Sequence, residues 1–222
     1  ASVTTQLNAN NARLIDLEPY DLNGVTRFAA VMISNTGADA AGWWWLWGAS
    51  ASQIVNFVSS NPARIIDLDN YFIGATRYYS AVMIQNAGQT AQGWWFYFNV
   101  SPDFITNHIN TNNSRLVDLE PHSVGIAGTT FDCVMVAGQG EHWWWYHGAT
   151  DTQVGEAIEQ NGARLIDLER YSVPLVGTRY AVVMINNSND LTTRVGDILR
   201  DGSDGFSGLY LKRVNGSVLA YL

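Results

Sequence analysis

A six-residue motif that occurs four times constrains the fold of this chain more than any other feature. It reads Arg-Leu-Ile-Asp-Leu-Glu at 13–18 and 164–169, Arg-Ile-Ile-Asp-Leu-Asp at 64–69, and Arg-Leu-Val-Asp-Leu-Glu at 115–120. The spacing is about 50 residues, which indicates a tandem array in which each unit is one supersecondary module. All 4 Met residues share one position of the repeat, and all 9 Trp residues fall in one segment of the first three units. We therefore expect stacked units that share a continuous core.

Each unit is predicted to contain three strands. The repeated motif alternates along an extended chain, so Leu14 and Asp16 fall on one face and Ile15 and Leu17 on the other. A second stretch, 26–33 in the first unit, is rich in β-forming residues and apolar on both faces, which predicts a central strand. The third strands are the Trp-rich stretches 42–48, 93–98 and 143–148. Short connections between these stretches predict antiparallel meanders without crossover helices.

A helix is predicted to close each unit. Ser101 and Pro102 supply an N-cap and a first-turn proline, and apolar residues at helical spacing predict equivalent helices at 50–60 and 150–160. Residues 2–10 resemble one more copy of this helix. In the fourth unit a helix-like stretch at 190–200 stands where the Trp-rich strand is expected, so we expect that unit to be open.

These elements define the predicted fold class, which is α+β and mainly β. Four tandem βββα repeats of antiparallel meanders form a propeller-like or stacked array, followed by a C-terminal β-hairpin. The repeat domain is predicted at 1–202, with helix 2–10 ahead of repeats at about 12–61, 62–112, 113–162 and 163–202, and the hairpin extension at 203–222.

The hairpin prediction rests on two alternating runs around Asn215-Gly216, the strongest short hairpin signal. An isolated two-stranded hairpin is marginally stable in water, so it requires a host. The alternatives are the open fourth unit, a neighbouring subunit and a following domain. The predicted interface residues are Leu209, Leu211, Val214, Val218, Leu219 and Leu222.

Composition excludes some classes of function. The net charge of −8 disfavours nucleic acid, whose phosphates are bound by Lys and Arg. No apolar run reaches the roughly 20 residues of a membrane span. Cys133 lies in an apolar strand and is predicted to be a core residue, and no cofactor is expected. Sequons that a glycosylating pathway would use begin at Asn99, Asn112, Asn186 and Asn215.

The Trp-rich strands have two interpretations, a core and a sugar-stacking platform. Burying one Trp removes about 150–250 Å² from water, which contributes roughly 4–6 kcal/mol at about 25 cal/mol per Å². Because consecutive Trp side chains point to opposite faces of a strand, one face is predicted to meet the neighbouring repeat and the other the helix. The core interpretation is favoured, and under the alternative interpretation Trp43, Trp94 and Trp143 are the positions to test for ligand stacking.

The carboxylates of the repeated motif do not predict a metal site. Hard cations draw convergent oxygens from one loop, whereas these carboxylates are spread over separate strands, each with an Arg three residues before its Asp. We predict structural ion pairs at Arg13–Asp16, Arg64–Asp67, Arg115–Asp118 and Arg164–Asp167.

No catalytic set is predicted. His142 and His147 fall on opposite faces of a strand, and His108 and His122 have no partner in sequence. A Gly-x-Ser-x-Gly elbow does not occur. The single lysine, Lys212, has Leu209 three positions before it, which excludes a Ser-x-x-Lys pair. We expect the chain not to be an enzyme.

The motifs Arg-Leu-Ile-Asp-Leu-Glu, Thr-Arg-Tyr-Ala-Val-Val-Met-Ile and Gly-Trp-Trp-Trp resemble the tandem-repeat amino-terminal domain of polyglycine hydrolases and related secreted proteins. The resemblance covers about residues 2–200. In that family a β-lactamase-like serine hydrolase domain follows, and 208–220 looks like its opening strands. Because no position here matches the family's Ser-x-x-Lys, no catalytic residue carries over. The resemblance implies an extracellular, non-catalytic module whose signal peptide has been removed.

Three functional hypotheses follow. The first is an extracellular repeat module for recognition or scaffolding that binds a protein or glycan surface. The second is a structural subunit that assembles head to tail by β-augmentation through its C-terminal hairpin. Filaments are one form that such an assembly can take. The third is an accessory part of a serine hydrolase.

Overall fold

The secondary structure of the protein is mainly β, with a helix between successive sheets. The computed structural model describes residues 2–37, 40–88, 91–126, 128–138, 140, 142–187, 195–196, 210–213 and 218–221. The chain divides into two units, Ala1–Gly138 and Gln139–Leu222.

The first unit contains three helices and eight strands among its described residues. They are α1 (Val3–Asn10), β1 (Ala12–Leu22), β2 (Val25–Ser34), β3 (Trp43–Ala49), α2 (Ala51–Ser60), β4 (Ala63–Ile73), β5 (Thr76–Gln85), β6 (Trp94–Val100), α3 (Pro102–Asn112), β7 (Ser114–Gly125) and β8 (Gly128–Ala137). The predicted order of helix, three strands and helix is confirmed.

The second unit repeats the same order and adds a short sheet. Its elements are β9 (Trp143–Ala149), α4 (Asp151–Asn161), β10 (Ala163–Val173), β11 (Gly177–Asn186), β12 (Val195–Gly196), β13 (Tyr210–Arg213) and β14 (Val218–Tyr221). In the described part of 190–200, residues Val195–Gly196 form a strand, so the prediction of a helix is wrong there. The rest of that stretch lies outside the described residues.

Antiparallel three-stranded sheets are confirmed, but each sheet combines strands from two sequence repeats. The strand orders are β3-β5-β4, β6-β8-β7 and β10-β11-β9. Trp44 therefore lies opposite Met83 of the next repeat. The helix that closes each repeat serves as the crossover between two parallel strands, with the third strand inserted between them. The sequence prediction gave this helix only the role of closing a unit, and the pairing across repeats was not predicted.

This pairing moves the open sheet from the end of the array to its start. The fourth repeat receives β9 as its third strand, so the prediction of an open fourth unit is wrong. Among the described strands, β1 and β2 pair only with each other, and the first sheet has two strands.

The C-terminal hairpin is confirmed for the described residues. β13 pairs antiparallel with β14, and β12 adds a third strand. Leu211 lies on β13, and Val218 and Leu219 lie on β14. The other predicted interface residues, Leu209, Val214 and Leu222, lie outside the described residues.

Each helix begins at a hydroxyl N-cap. In each helix the side-chain oxygen of the N-cap accepts a hydrogen bond from the backbone N–H of the third helical residue. The pairs are Ser2 with Thr5, Ser50 with Gln53, Ser101 with Phe104, and Thr150 with Gln153. At Ser50 and Thr150 a glutamine completes a capping box. These caps satisfy backbone donors that the first helical turn leaves unpaired, and in α2, α3 and α4 they fix the helix start directly after a strand.

A β-bulge interrupts the alternation of the repeated motif. The register shifts between Leu14 and Asp16, so one extra residue stands on β1. Leu14 and Leu17 are consequently both fully buried, although strict alternation places them on opposite faces. The same shift recurs on β4, β7 and β10.

The core of the first unit lies between successive sheets. Leu14 and Leu17 pack with Leu7 of α1 and with Trp43 and Trp45 on the next sheet. Trp44 points the other way and meets Phe57 of α2, with ring centroids 6.2 Å apart. The predicted distribution of consecutive indoles between the neighbouring repeat and the helix is thus confirmed for β3.

The second unit has an equivalent core. Val154 of α4 packs with Val182 and Met184 of β11, and Trp144 and Leu168 lie against them. No helix in the described part of the chain is long and apolar enough to cross a membrane.

Candidate functional site

A cleft of about 660 Å³ lies beside α1 and the start of β3, and we refer to it as the α1 cleft. Its walls are Thr4, Leu7, Asn8, Asn11, Ala12, Asn35, Thr36, Trp43, Trp44, Trp45 and Phe57. None of these side chains carries a charge. The volume is within the range of about 300–1,000 Å³ that is usual for small-molecule sites.

Local hydrogen bonds hold the polar wall of the cleft in place. Asn11 ends α1 in the left-handed conformation (φ 45°), which Asn tolerates better than most residues. Its carbonyl accepts the Asn35 N–H at 2.8 Å. The Asn35 side chain in turn accepts the Ala41 N–H (2.9 Å) and donates to the Ala41 carbonyl (3.2 Å). The loop after β2 is therefore tied to the end of α1.

Trp43 contributes an aromatic surface to this cleft. It lies on β3 opposite Ile84, is half-buried, and packs partly against the core around Leu7 and Leu14. Exposed Thr4 and Asn8 on α1 add hydroxyl and amide groups to the same cleft. An indole face beside neutral hydrogen-bonding groups suits a ligand that has both apolar faces and hydroxyl groups.

The other two predicted stacking positions lie in different surroundings. Trp94 stacks on Phe96, with centroids 5.3 Å apart, and packs against the first-unit core around Ile65 and Met83. Trp143 is half-buried on β9, opposite Ile185. Of the three, Trp43 is the one that lines the α1 cleft. Trp47, which was not among the three predicted positions, is 62% exposed. Its place at the end of the Trp run, before Gly48, is the sequence signal that could have indicated this exposure.

The motif aspartates connect successive repeats. The Leu17 N–H donates to Oδ2 of Asp67 (3.1 Å), and the Leu68 N–H donates to Oδ1 of Asp118 (3.4 Å). Each of these carboxylates thus accepts a backbone donor about 50 residues earlier in the chain. Sequence alone did not indicate this role, because the bulge that frees the N–H is visible only in the structure.

The four predicted Arg–Asp ion pairs stay a prediction. Burial lowers the pKa of Arg64, and the charge of Arg115 lowers it further. Arginines of adjacent repeats therefore lie near one another. Burial raises the pKa of Asp16.

A polar cluster in the third sheet brings together residues that sequence did not connect. His122 Nδ1 lies 2.5 Å from Oδ1 of Asp132, a partner that the sequence did not indicate. Asp132 also accepts the Asn99 N–H at 2.8 Å and the Asn70 side chain at 3.1 Å. Burial raises the pKa of Asp132, although its hydrogen bonds and His122 oppose this. Burial lowers the pKa of His122, against the opposing effect of Asp132.

The other sheets show what this cluster does. Tyr71 accepts the Gly48 N–H at 2.8 Å, and Tyr171 accepts the Gly148 N–H at 2.7 Å, at the corresponding place on their sheets. In the third sheet His122 stands at this Tyr position, and Asp132 accepts the equivalent N–H. The pair therefore caps a strand bulge, and its sequence signal is the change of a repeated Tyr to His.

The remaining histidines and the cysteine are placed by packing. His108 is buried near Trp95 and Tyr97, with Nδ1 3.1 Å from the Ser114 hydroxyl, and burial lowers its pKa. His142 and His147 lie beside Trp144 and Trp145 respectively. Cys133 is fully buried, as predicted, and burial raises the pKa of its thiol.

Three predicted sequon residues are described. Asn99 occupies a bulge with φ 56°, Asn112 ends α3 and donates to the His108 carbonyl, and Asn186 ends β11. Asn215 lies outside the described residues.

No known family model matches the sequence, and no curated protein matches it either. The resemblance to the repeat domain of polyglycine hydrolases therefore stays a prediction.

Proposed function

We propose that the protein is a non-catalytic extracellular recognition module and that the α1 cleft binds a neutral carbohydrate. The observation that carries this proposal is the combination of Trp43 with amide and hydroxyl side chains in a cleft without charged residues. A sugar ring offers an apolar face to an indole and hydroxyl groups to Asn and Thr side chains.

One further feature supports the binding role, and another supports the non-catalytic part of the proposal. The walls of the α1 cleft belong to capped or hydrogen-bonded segments, so little conformational entropy is lost on binding. The His122–Asp132 pair is engaged with backbone and amide groups around a bulge, which gives it a structural task. A module of this kind would place a partner domain or a whole protein on a glycan-bearing surface.

The test is isothermal titration of the full chain against soluble neutral oligosaccharides of glucose, mannose and N-acetylglucosamine. We expect saturable binding to at least one series. The substitution Asn8→Ala removes an exposed amide of the cleft and should weaken binding roughly tenfold, which corresponds to about 1.4 kcal/mol. Asn10→Ala is the matched control, because Asn10 lies on the same helix but does not line the cleft.

Trp43 is tested by replacement with Phe, which keeps apolar packing but reduces the stacking surface. Trp47→Phe is its control, since Trp47 lies on the same strand and is largely exposed. Weaker binding in the Trp43 variant alone would support the proposal. Absence of binding in all three series, or equal loss in the two Trp variants, would contradict it.

A further inference from the structure

The three complete sheets share a component that the first sheet lacks. In each, an aromatic strand lies along the outer edge of the strand that carries the repeated Met. The aligned pairs are Trp44 with Met83, Trp95 with Met135, and Trp144 with Met184. In the first sheet Met32 lies on β2, and β2 pairs with β1 alone among the described strands.

The outer face of β2 is also more exposed than that of β5, because the first sheet packs against Val82 and no described sheet packs against Val31 in the same way. Val31 is 49% exposed and Ile33 is 38% exposed, while Val82, at the position equivalent to Val31, is fully buried. Val134 and Val183 of the third and fourth sheets are also fully buried. An apolar, unpaired strand edge is a template for the addition of another strand.

The start of α1 fits the end of such a strand. In the complete sheets the aromatic strand ends directly before the helix N-cap: Ala49 precedes Ser50, Val100 precedes Ser101, and Ala149 precedes Thr150. Ser2 caps α1 in the same way, accepting the Thr5 N–H at 3.2 Å. A strand that ended beside Ser2, as β3 ends beside Ser50, would therefore run along β2 in the way that β3 runs along β5.

The aromatic strands of this chain are not free to act as donors. β3, β6 and β9 are each paired within their own sheets, and β13 and β14 contain no Trp. Among the described strands, therefore, no Trp-bearing strand is left to pair with β2.

We propose that the edge of β2 is a docking site for an extended aromatic strand of the type Trp-Trp-aromatic, supplied from outside residues 1–222. The strand runs antiparallel to β2, and the repeat register places its first three aromatic residues opposite Ile33, Met32 and Val31. Backbone hydrogen bonds supply much of the affinity, and the alternating indoles supply specificity. This docking site is separate from the carbohydrate site proposed at the α1 cleft.

The first experiment uses a soluble peptide with the sequence of residues 42–50 and a charged tail, and a peptide of the same composition in shuffled order. Hydrogen exchange of the full chain is measured with and without each peptide. We expect the native-order peptide to slow exchange of the β2 amides at least tenfold and the shuffled peptide to leave them unchanged. Equal effects of the two peptides, or protection confined to other strands, would overturn the proposal.

Two variants make the result specific to the edge. Val31→Lys places a charge on β2 opposite the third aromatic residue of the donor strand and should abolish protection. Val55→Lys places the same charge on an exposed position of α2 and should not. If Val31→Lys fails to fold, as judged by circular dichroism, Ile33→Lys replaces it. A peptide that protects β2 equally in wild type and both variants would contradict docking at this edge.

A second arm joins residues 42–49 directly ahead of Ser2, which raises the effective concentration of the strand. The melting temperature should rise above that of a chain extended with the shuffled sequence, and an equal melting temperature would overturn the proposal. If a second copy of the chain is the occupant, the β2 amides of the unextended protein will be protected in a concentration-dependent way without peptide, which also overturns it. Oligosaccharide titration of Val31→Lys separates this site from the α1 cleft, because cleft binding should be unchanged.

Discussion

The first and second sheets carry nearly the same strand sequences but bury them differently. Val31 and Val82 occupy equivalent positions beside the repeated Met, yet Val31 is 49% exposed and Val82 is fully buried. In the second sheet β3 flanks the strand and the first sheet packs against its outer face. The burial of a strand's side chains in this array is therefore set by the neighbouring elements and not by the sequence of the strand itself.

The largest difference in stability between the two sheets is expected when their equivalent methionines are replaced. Met83→Ala should lower the free energy of unfolding by about 2–5 kcal/mol, because Met83 is fully buried and its loss leaves a cavity. Met32→Ala should cost clearly less, since Met32 is only half-buried and its surroundings can relax. Urea unfolding of both variants measures the difference. Equal losses in the free energy of unfolding would contradict the inferred difference in burial between the two sheets.

The second test removes the hydrogen bond between sheets. Asp67→Ala leaves the buried Leu17 N–H without this acceptor and should cost about 1.5–3 kcal/mol, the usual value for a hydrogen bond to a charged group. Asp16→Ala is the matched change in the first sheet, and burial already raises the pKa of that carboxyl. We expect Asp16→Ala to be nearly neutral in the same urea experiment, and a larger cost than that of Asp67→Ala would contradict the assigned role.

Sequence reasoning predicted the repeat, the helix between sheets and the alternation of Trp43 and Trp44 because these depend on periods within a short stretch of chain. It did not predict that β3 pairs with β5, since the helical crossover that permits this pairing was assigned only the role of closing a unit. The bulge after Leu14 was missed because an inserted residue leaves the motif looking like regular alternation.

The candidate site was predicted only in part, for a related reason. Trp43 was identified from the Trp run, whereas Asn8 and Asn35 enter the α1 cleft through the fold. His122 and Asp132 lie ten positions apart, and the turn between them brings them into contact. Contacts of this kind depend on strand register, which short motifs do not specify.

The third test compares the strand caps. Tyr71→Phe removes the hydroxyl that accepts the Gly48 N–H and should cost about 1 kcal/mol, at the low end for an unsatisfied donor because the site is only partly buried. Tyr20→Phe is the equivalent change in the first sheet, where the side chain is 47% exposed, and it should stay within about 0.5 kcal/mol of wild type. Thermal unfolding of the two variants against wild type measures this difference, and a larger effect at Tyr20 would show that the first sheet has a cap of its own.

The smallest expected effect is a dependence of stability on pH that arises from His108 on α3. Burial lowers its pKa below 6.5 in the folded chain, so between these two pKa values the unfolded chain binds more protons than the folded one. The free energy of unfolding should therefore fall as pH decreases from about 7 through the folded pKa. His108→Gln should reduce this dependence and leave the part that comes from His122, whose pKa burial also lowers, whereas His142→Gln, at an exposed position, should not reduce it. Urea unfolding between pH 5 and pH 7.5 tests it, and an unchanged slope in His108→Gln would exclude His108 as its source and assign the proton uptake to other groups.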